Sequence, residues 1–184
     1  MKILETDIDG VKIFEPATFG DSRGYFLETF NIKRYRNAGL QNDFAQDNVS
    51  VSRKDTLRGL HLQNPNPQGK LVMVLSGSVL DVAVDVRIGS PTFGRHIAVV
   101  LDDKTHRQLW IPRGFAHGFL ALSEEATFLY KCDALYDRAS EMSVRWDDPD
   151  IGIVWGVSHP LLSEKDAAAP FLRDLTDRLP RYEV

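Results

Sequence analysis

The stretch LRGLHLQNPNPQGKLVMVLSG, Leu57 to Gly77, places one histidine, His61, and one lysine, Lys70, on two neighbouring strand-like runs. Histidine titrates near neutrality and can take a proton from carbon when a carboxylate orients it and steadies the imidazolium. Proton loss beside a carbonyl makes an enolate, whose oxyanion needs a fixed positive charge, and Lys70 can supply one. If the proton is to return to the opposite face, a separate acid must stand across the ring from the base. Tyr130, in FLYK, is such a donor, because a phenol near its reference pKa of about 10 is protonated at neutral pH. Taken singly, His61 also reads as a hydrogen-bonded strand residue and Tyr130 as a core aromatic with its hydroxyl satisfied.

The elements that must hold these groups show as period-two alternation broken by turn residues at short intervals, the pattern of an all-β sandwich or barrel. VLDVAVDVR shows it best: Leu80, Val82, Val84 and Val86 fall on one face, and Asp81, Ala83 and Asp85 on the other. Further strand candidates are VKIF, GYFLETF, FAQDNVSVS, LRGLHLQ, KLVMVL, RHIAVVL, RQLWIP, FAHGFLAL and ATFLYKCDALY, separated by Gly-, Pro-, Asn- and Asp-rich turns such as NPNPQG and GSPTFG. Two segments read as helical: NIKRYRNAG, ending at Gly39, and AAAPFLRDLTDRL near the C-terminus, with Leu172, Leu175 and Leu179 on one stripe. A barrel of about ten strands can fill its interior or leave it open as a ligand cavity. An unpaired buried charge is costly, so Asp81 and Asp85 either face solvent or find partners in a cavity; alternation alone leaves both open.

A chain of 184 residues, 43% hydrophobic and 26% charged, has the size and composition of one globular domain, expected to run over residues 1–184. Its longest apolar runs are too short to span a bilayer, and MKILETDIDG lacks the apolar centre of a secretory signal. The net charge of -4 disfavours a nucleic-acid duplex as partner. The single Cys132 has no partner within the chain and no metal-ligand spacing around it, so it is expected to be a structural thiol in a reduced, cytoplasmic protein.

IPRGFAHGF contains P-x-G-x-x-H, with Pro112, Gly114 and His117, and resembles the second motif of the cupin barrels. The first cupin motif departs: Gln63 takes the place of its second histidine, and Lys70 stands where the metal-binding glutamate is due. An ammonium has no free lone pair and repels a cation, so a metal-free site is expected. FGDSRGYFLETF, QDNVSVS, LRGLH, QGKLV, DVAVD, GSPTFG, WIPRGFAHGF, FLYKCDALY and LSEKDAA together resemble the dTDP-4-dehydrorhamnose 3,5-epimerases of the RmlC type, in order from about residue 11 to residue 170. The resemblance implies a cupin-type jelly-roll β-barrel, with short helices near the N-terminal third and at the C-terminus.

It also implies cofactor-independent epimerisation at C3 and C5 of dTDP-4-dehydro-6-deoxy-D-glucose to dTDP-4-dehydro-L-rhamnose. By that resemblance His61 is the base, Asp166 in LSEKD its carboxylate partner, Lys70 the enolate-stabilising cation and Tyr130 the opposing acid, with Asp81 orienting the lysine. Arg23, Glu28, Gln46, Asn48, Arg58 and His117 correspond to nucleotide contacts, Tyr136 to the ring stacked on thymine, and Glu141 and Lys165 to further contacts. Arginine suits a diphosphate because its planar fork holds two oxygens at once. Members are typically homodimers, so Arg23 and Glu28 are expected to act in a partner's site. Three positions depart from the common pattern: Leu62 where an aromatic is usual, Met73 where relatives often carry arginine, and Gly156 after Trp155 where proline is usual. The alternatives are a single-centre epimerase of another nucleotide-linked 4-ketosugar, a non-enzymatic sugar-nucleotide-binding cupin, and a metal-dependent cupin enzyme.

Overall fold

The structure, a computed structural model, describes residues 1–182. In chain order its elements are β1 (Lys2–Glu5), β2 (Lys12–Glu15), β3 (Thr18–Asp21), β4 (Gly24–Leu27), α1 (Ile32–Asn37), β5 (Gln46–Arg53), β6 (Leu57–Gln63) and β7 (Lys70–Ser76). There follow β8 (Ser78–Asp85), β9 (His96–Asp102), β10 (Gln108–Ile111), β11 (Phe115–Ala121), β12 (Glu125–Cys132), β13 (Glu141–Ser143), α2 (Glu164–Ala167) and a 3-10 turn at Leu172–Leu175. The strands form a six-stranded sheet ordered β1-β2-β10-β7-β12-β5, a five-stranded sheet ordered β13-β6-β11-β8-β9, and the separate hairpin β3-β4. The two large sheets pack face to face as an all-β, cupin-type jelly roll, joined by packing and not by one closed ladder. No helix among the described residues is long and apolar enough to cross a membrane.

Three apolar layers account for the strand patterns. Between the sheets lie Val72, Val74, Val79, Ala83, Ile111, Phe119 and Phe128. Behind the five-stranded sheet, Leu60, Leu62, Val82, Val84 and Val144 pack against Trp155, Leu172, Leu175 and Leu179. Behind the six-stranded sheet, Phe14, Leu71 and Trp110 pack against Tyr35 and Leu40, on and just after α1. Both faces of β8 are therefore buried from Asp81 to Asp85. Asp81 and Asp85 lie inside with partners: Asp81 on His117, and Asp85 on the Arg87 guanidinium at 2.7 and 2.8 Å and on the Ser90 and Thr92 hydroxyls.

The helical expectation holds for α1, where the Asn31 side chain accepts from the N–H groups of Lys33 and Arg34 and Gly39 follows at φ +89°. It fails as drawn at the C-terminus, where AAAPFLRDLTDRL splits into the end of α2 and the 3-10 turn. Pro170 separates them, because proline has no N–H to give and pushes the residue before it out of helical geometry. The leucine stripe nevertheless does its packing, since Leu172, Leu175 and Leu179 are all buried in the outer layer. Three short strands, β1, β3 and β13, carry too few residues for alternation to show.

Candidate active site

His61 projects from β6 into the space between the sheets, and its placement depends on an irregularity. Across the ladder with β11, His117 faces His61 while Phe119 faces Arg58, so β6 carries one extra residue against two steps of its neighbour. This bulge turns Arg58 and His61, three residues apart, to the same cavity, where strict alternation puts them on opposite faces. Gly59 makes it feasible: its φ is +129°, and a Cβ there would stand 2.5 Å from the Gly118 Cα.

Asp166 reaches His61 from 105 residues away. Its segment is tied down where the Leu57 N–H donates to the Leu161 carbonyl at 3.0 Å and the Leu161 N–H to the Asp55 carbonyl at 2.7 Å. The Ser163 hydroxyl then caps α2 by accepting from the Asp166 N–H at 3.1 Å, which leaves the Asp166 carboxylate free to turn inward. Its Oδ1 stands 2.6 Å from His61 Nε2. Burial pushes the Asp166 carboxyl up, but the bonds from His61, Ser163 and the Gly59 backbone outweigh it and hold the group below its ordinary value.

Lys70 and Tyr130 come from the opposite wall, on the adjacent strands β7 and β12 of the six-stranded sheet. Among the described residues, the Lys70 ammonium has no hydrogen-bond or ion-pair partner. Burial pushes Lys70 down from its ordinary value, against the pull of Cys132, Asp81 and Glu141. Burial pushes the Tyr130 phenol up, and Cys132 adds to the rise. His61, Lys70 and Tyr130 line both a cavity of about 490 Å³ and a second of about 310 Å³, so the three mark the junction of one divided cleft.

The larger cavity also takes Arg58, His117, Lys165 and Asp166, and the smaller takes Gln46, Asn48, Tyr136 and Glu141. Gln46 and Asn48 lie on the inward face of β5. The Gln46 amide donates to Asn48 Oδ1 at 2.9 Å, while its own oxygen accepts from the Tyr136 N–H at 2.9 Å. The Tyr136 hydroxyl donates to Glu141 at 3.1 Å, and Glu141 pairs with Lys165 at 2.6 Å. Burial pushes Glu141 up, yet Lys165 and Tyr136 bring it below the usual carboxylate range. Asp81 gives both oxygens to His117 Nε2, at 2.9 and 3.1 Å, so its bonded partner is the histidine and not the lysine; its charge still bears on Lys70.

Arg23 and Glu28 are not brought to the cleft of this chain. Arg23 pairs with Asp21 at 2.6 Å at the tip of the β3-β4 hairpin, and Glu28 pairs with Arg34 at 3.1 Å. That hairpin exposes Phe19, Tyr25 and Phe26 at 61%, 58% and 68%. Ser50, Arg53, Phe119, Phe128 and Leu162 line the larger cavity without having been singled out from sequence. Ser50 shares the parity of Gln46 and Asn48 on β5 and was open to that argument; Arg53 breaks the parity and left no signal.

The departures lie around the cleft and not at its centre. Met73 sits behind the six-stranded sheet, accepting from the Gln108 amide at 3.4 Å, so the missing arginine belongs to the outer layer. Leu62 packs in the layer behind β6 and touches only the smaller cavity. Gly156 takes φ +79°, which proline cannot adopt. Gln63 gives its amide to the Asn66 carbonyl at 2.8 Å and its oxygen to the Asp137 N–H at 2.9 Å. Among the described residues, no three His, Cys, Asp or Glu side chains converge as a metal-ligand group.

Residues 5–174 match the family model described as dTDP-4-dehydrorhamnose 3,5-epimerase. The chain is 52% identical over 168 residues to the dTDP-4-dehydrorhamnose 3,5-epimerase of Shigella flexneri, covering 90% of this chain and 93% of that one. Its fold superposes with a TM-score of 0.97 on dTDP-6-deoxy-D-glucose-3,5-epimerase RmlC from Legionella pneumophila, solved in complex with dTDP-4-keto-L-rhamnose; identity is 50%, covering 100% and 99% of the two chains. ChmJ, a 3'-monoepimerase from Streptomyces bikiniensis solved with dTDP-quinovose, is 40% identical with a TM-score of 0.90, covering 96% of this chain and 92% of that one.

Proposed function

Because the chain belongs to the dTDP-4-dehydrorhamnose 3,5-epimerase family, we propose that it converts dTDP-4-dehydro-6-deoxy-D-glucose to dTDP-4-dehydro-L-rhamnose by inverting C3 and C5. One observation carries the chemistry: His61, bonded to Asp166 from α2, and Tyr130 stand on opposite sheets across one cleft, and Lys70 lines the same two cavities as both of them.

C3 and C5 both flank the C4 carbonyl, so one base and one oxyanion clamp serve both. His61 takes the proton from carbon while Asp166 steadies the imidazolium that forms. The electron pair of the broken C–H bond moves into the enolate, and the charge on O4 meets Lys70. Tyr130 returns a proton to the opposite face, and solvent then restores the tyrosine and relieves the histidine. Each inversion therefore brings one solvent hydrogen to carbon. The reaction so written moves only protons and calls on no cofactor.

Arg58, Gln46, Asn48 and His117 hold the nucleotide diphosphate, with Tyr136 against the thymine and Glu141 and Lys165 beside it. Their binding energy keeps the sugar in place while the C–H bonds break. Asp81 acts as the positioning partner of His117. Arg23 and Glu28 serve a partner's cleft in a homodimer, a reading supported by the exposed aromatic residues on their hairpin. The whole chain acts as one domain, and the protein works in the cytoplasm.

The test is incubation with dTDP-4-dehydro-6-deoxy-D-glucose in D2O, with deuterium followed at each ring carbon by NMR. Deuterium at both C3 and C5 with the L-sugar formed is the expected result. Deuterium at one carbon moves the assignment to a single-centre epimerase, and none at either refutes the reading.

A further inference from the structure

Lys70 must aim a charge at a developing oxyanion, yet no protein group bonds its ammonium among the described residues. Its direction is set by what flanks it. On the inner face of the six-stranded sheet its ladder neighbours are Ile111 on β10 and Cys132 on β12. Directly opposed residues on adjacent strands stand with Cβ atoms about 4.5–5.5 Å apart, so both side chains border the lysine stem. Ile111 offers only hydrocarbon. Cys132 is buried, and its sulfur accepts from Asn48 Nδ2 at 3.8 Å.

Cys132 is thereby linked to the far end of the cleft. Its other ladder neighbour is Gln46, so Gln46, Cys132 and Lys70 form one row across β5, β12 and β7. Hydrogen bonds run from the Tyr136 N–H to Gln46, from Gln46 to Asn48, and from Asn48 to the Cys132 sulfur. We propose that Cys132 is a positioning residue for Lys70: its sulfur, fixed by Asn48, is the flank that holds the ammonium aimed into the cleft. Burial outweighs the pull of the Lys70 charge and holds the thiol above its ordinary value, so in its protonated form it borders the cation as a polarisable group and makes no salt bridge with it. A carboxylate in its place would draw the ammonium off the substrate.

This assignment rests on the epimerase reading, and wild-type deuterium incorporation separates the two: without it that reading fails, and with it the variants judge Cys132 alone. Cys132→Ala, Cys132→Ser and Cys132→Val are compared for kcat, KM, dTDP affinity by calorimetry and the pH profile of kcat. The alanine variant is expected to lose about 10- to 100-fold in kcat, the scale of a misaligned catalytic group, with dTDP affinity unchanged. Its alkaline limb moves to higher pH, because the vacated space lets water solvate the ammonium. Serine restores most of the rate. A wild-type kcat and pH limb in the alanine variant overturns the assignment, as does a loss matched by weaker dTDP binding with the limb unmoved. If alanine prevents folding, Cys132→Val decides: it fills the space but cannot accept from Asn48, and a wild-type kcat and limb in it overturns the proposal equally.

Discussion

Replacing Asp166 by asparagine keeps the shape of the dyad and removes its charge. The Asp166 side chain is almost fully buried and lies 2.6 Å from His61 Nε2, while the imidazole is about one third exposed. Opposite charges centred about 4 Å apart attract by roughly 4 kcal/mol at an effective dielectric of 20, appropriate to a partly wet site. An amide oxygen can still accept from the ring N–H, which retains about 1 kcal/mol of neutral hydrogen bonding. The difference, about 3 kcal/mol, falls on the step that creates the imidazolium, and at 1.36 kcal/mol per decade it predicts a loss on the order of 100-fold in kcat. Affinity for dTDP should not change, because the carboxylate faces the base. The helix cap should survive as well, since Ser163 accepts from the backbone of residue 166 and not from its side chain. The assay is deuterium incorporation at C3 and C5 under saturating substrate, with calorimetric binding of dTDP and a thermal melt as controls. A folded variant within threefold of wild type would refute the claim that Asp166 stabilises the charged base.

Tyr130→Phe should abolish formation of the L-sugar while deuterium still enters from the His61 face; normal product formation would remove Tyr130 as the acid. Because burial raises the phenol above its ordinary pKa of about 10, no loss of wild-type activity through Tyr130 should occur between pH 6 and 9. Asp85→Asn breaks a buried pair outside the cleft and should cost about 3 kcal/mol, near the lower end for such pairs because Arg87 keeps some solvent contact, or roughly 6–12 °C in Tm for a chain of this size. Burial pushes Asp85 up, but Arg87, Ser90 and Thr92 bring it below its ordinary value. Its stabilisation is therefore full above the unfolded carboxylate value of about 3.9 and lost as pH falls through the lower folded value, so the variant should show a shallower acid limb in a pH series of melts. If the proposed homodimer forms through the β3-β4 hairpin, Phe19→Asp combined with Phe26→Asp should lower the mass in light scattering from twice that of the chain to that of one chain and depress turnover; an unchanged mass would remove the hairpin from the interface.

Much of the strand framework was legible because burial on a pleated sheet leaves a period of two, as along β5, and because short apolar runs bounded by turn residues mark strands such as β7. His61, Lys70 and Tyr130 were picked out for a different reason, their residue types and an ammonium at a metal-ligand position, and the fold brings all three to one cleft. Asp81 shows the limit. Alternation put it opposite the valines, but whether that face met water depended on a second sheet, and its partner, His117, lies on another strand. The C-terminal leucines show the converse, since their burial followed from spacing while the helix meant to carry them was broken at Pro170.

What the sequence determined by itself was the set of local preferences: which runs extend, where turns fall, which side chains seek burial, and which titratable types are present. Only the tertiary structure decided which of them meet. The extra residue in β6 that turns Arg58 and His61 to one cavity is defined by the register of β11, against which the Gly59 backbone fits closely. Asp166 reaches His61 across 105 residues because the Leu161 backbone bonds to Asp55 and Leu57, on either side of Thr56 just before β6. Such contacts leave no period in the chain, since a hydrogen bond depends on distance in space and is indifferent to separation in sequence. Arg23 and Glu28 extend the point: within one chain the fold holds them away from the cleft, and a dimer interface is what would give them a site to serve.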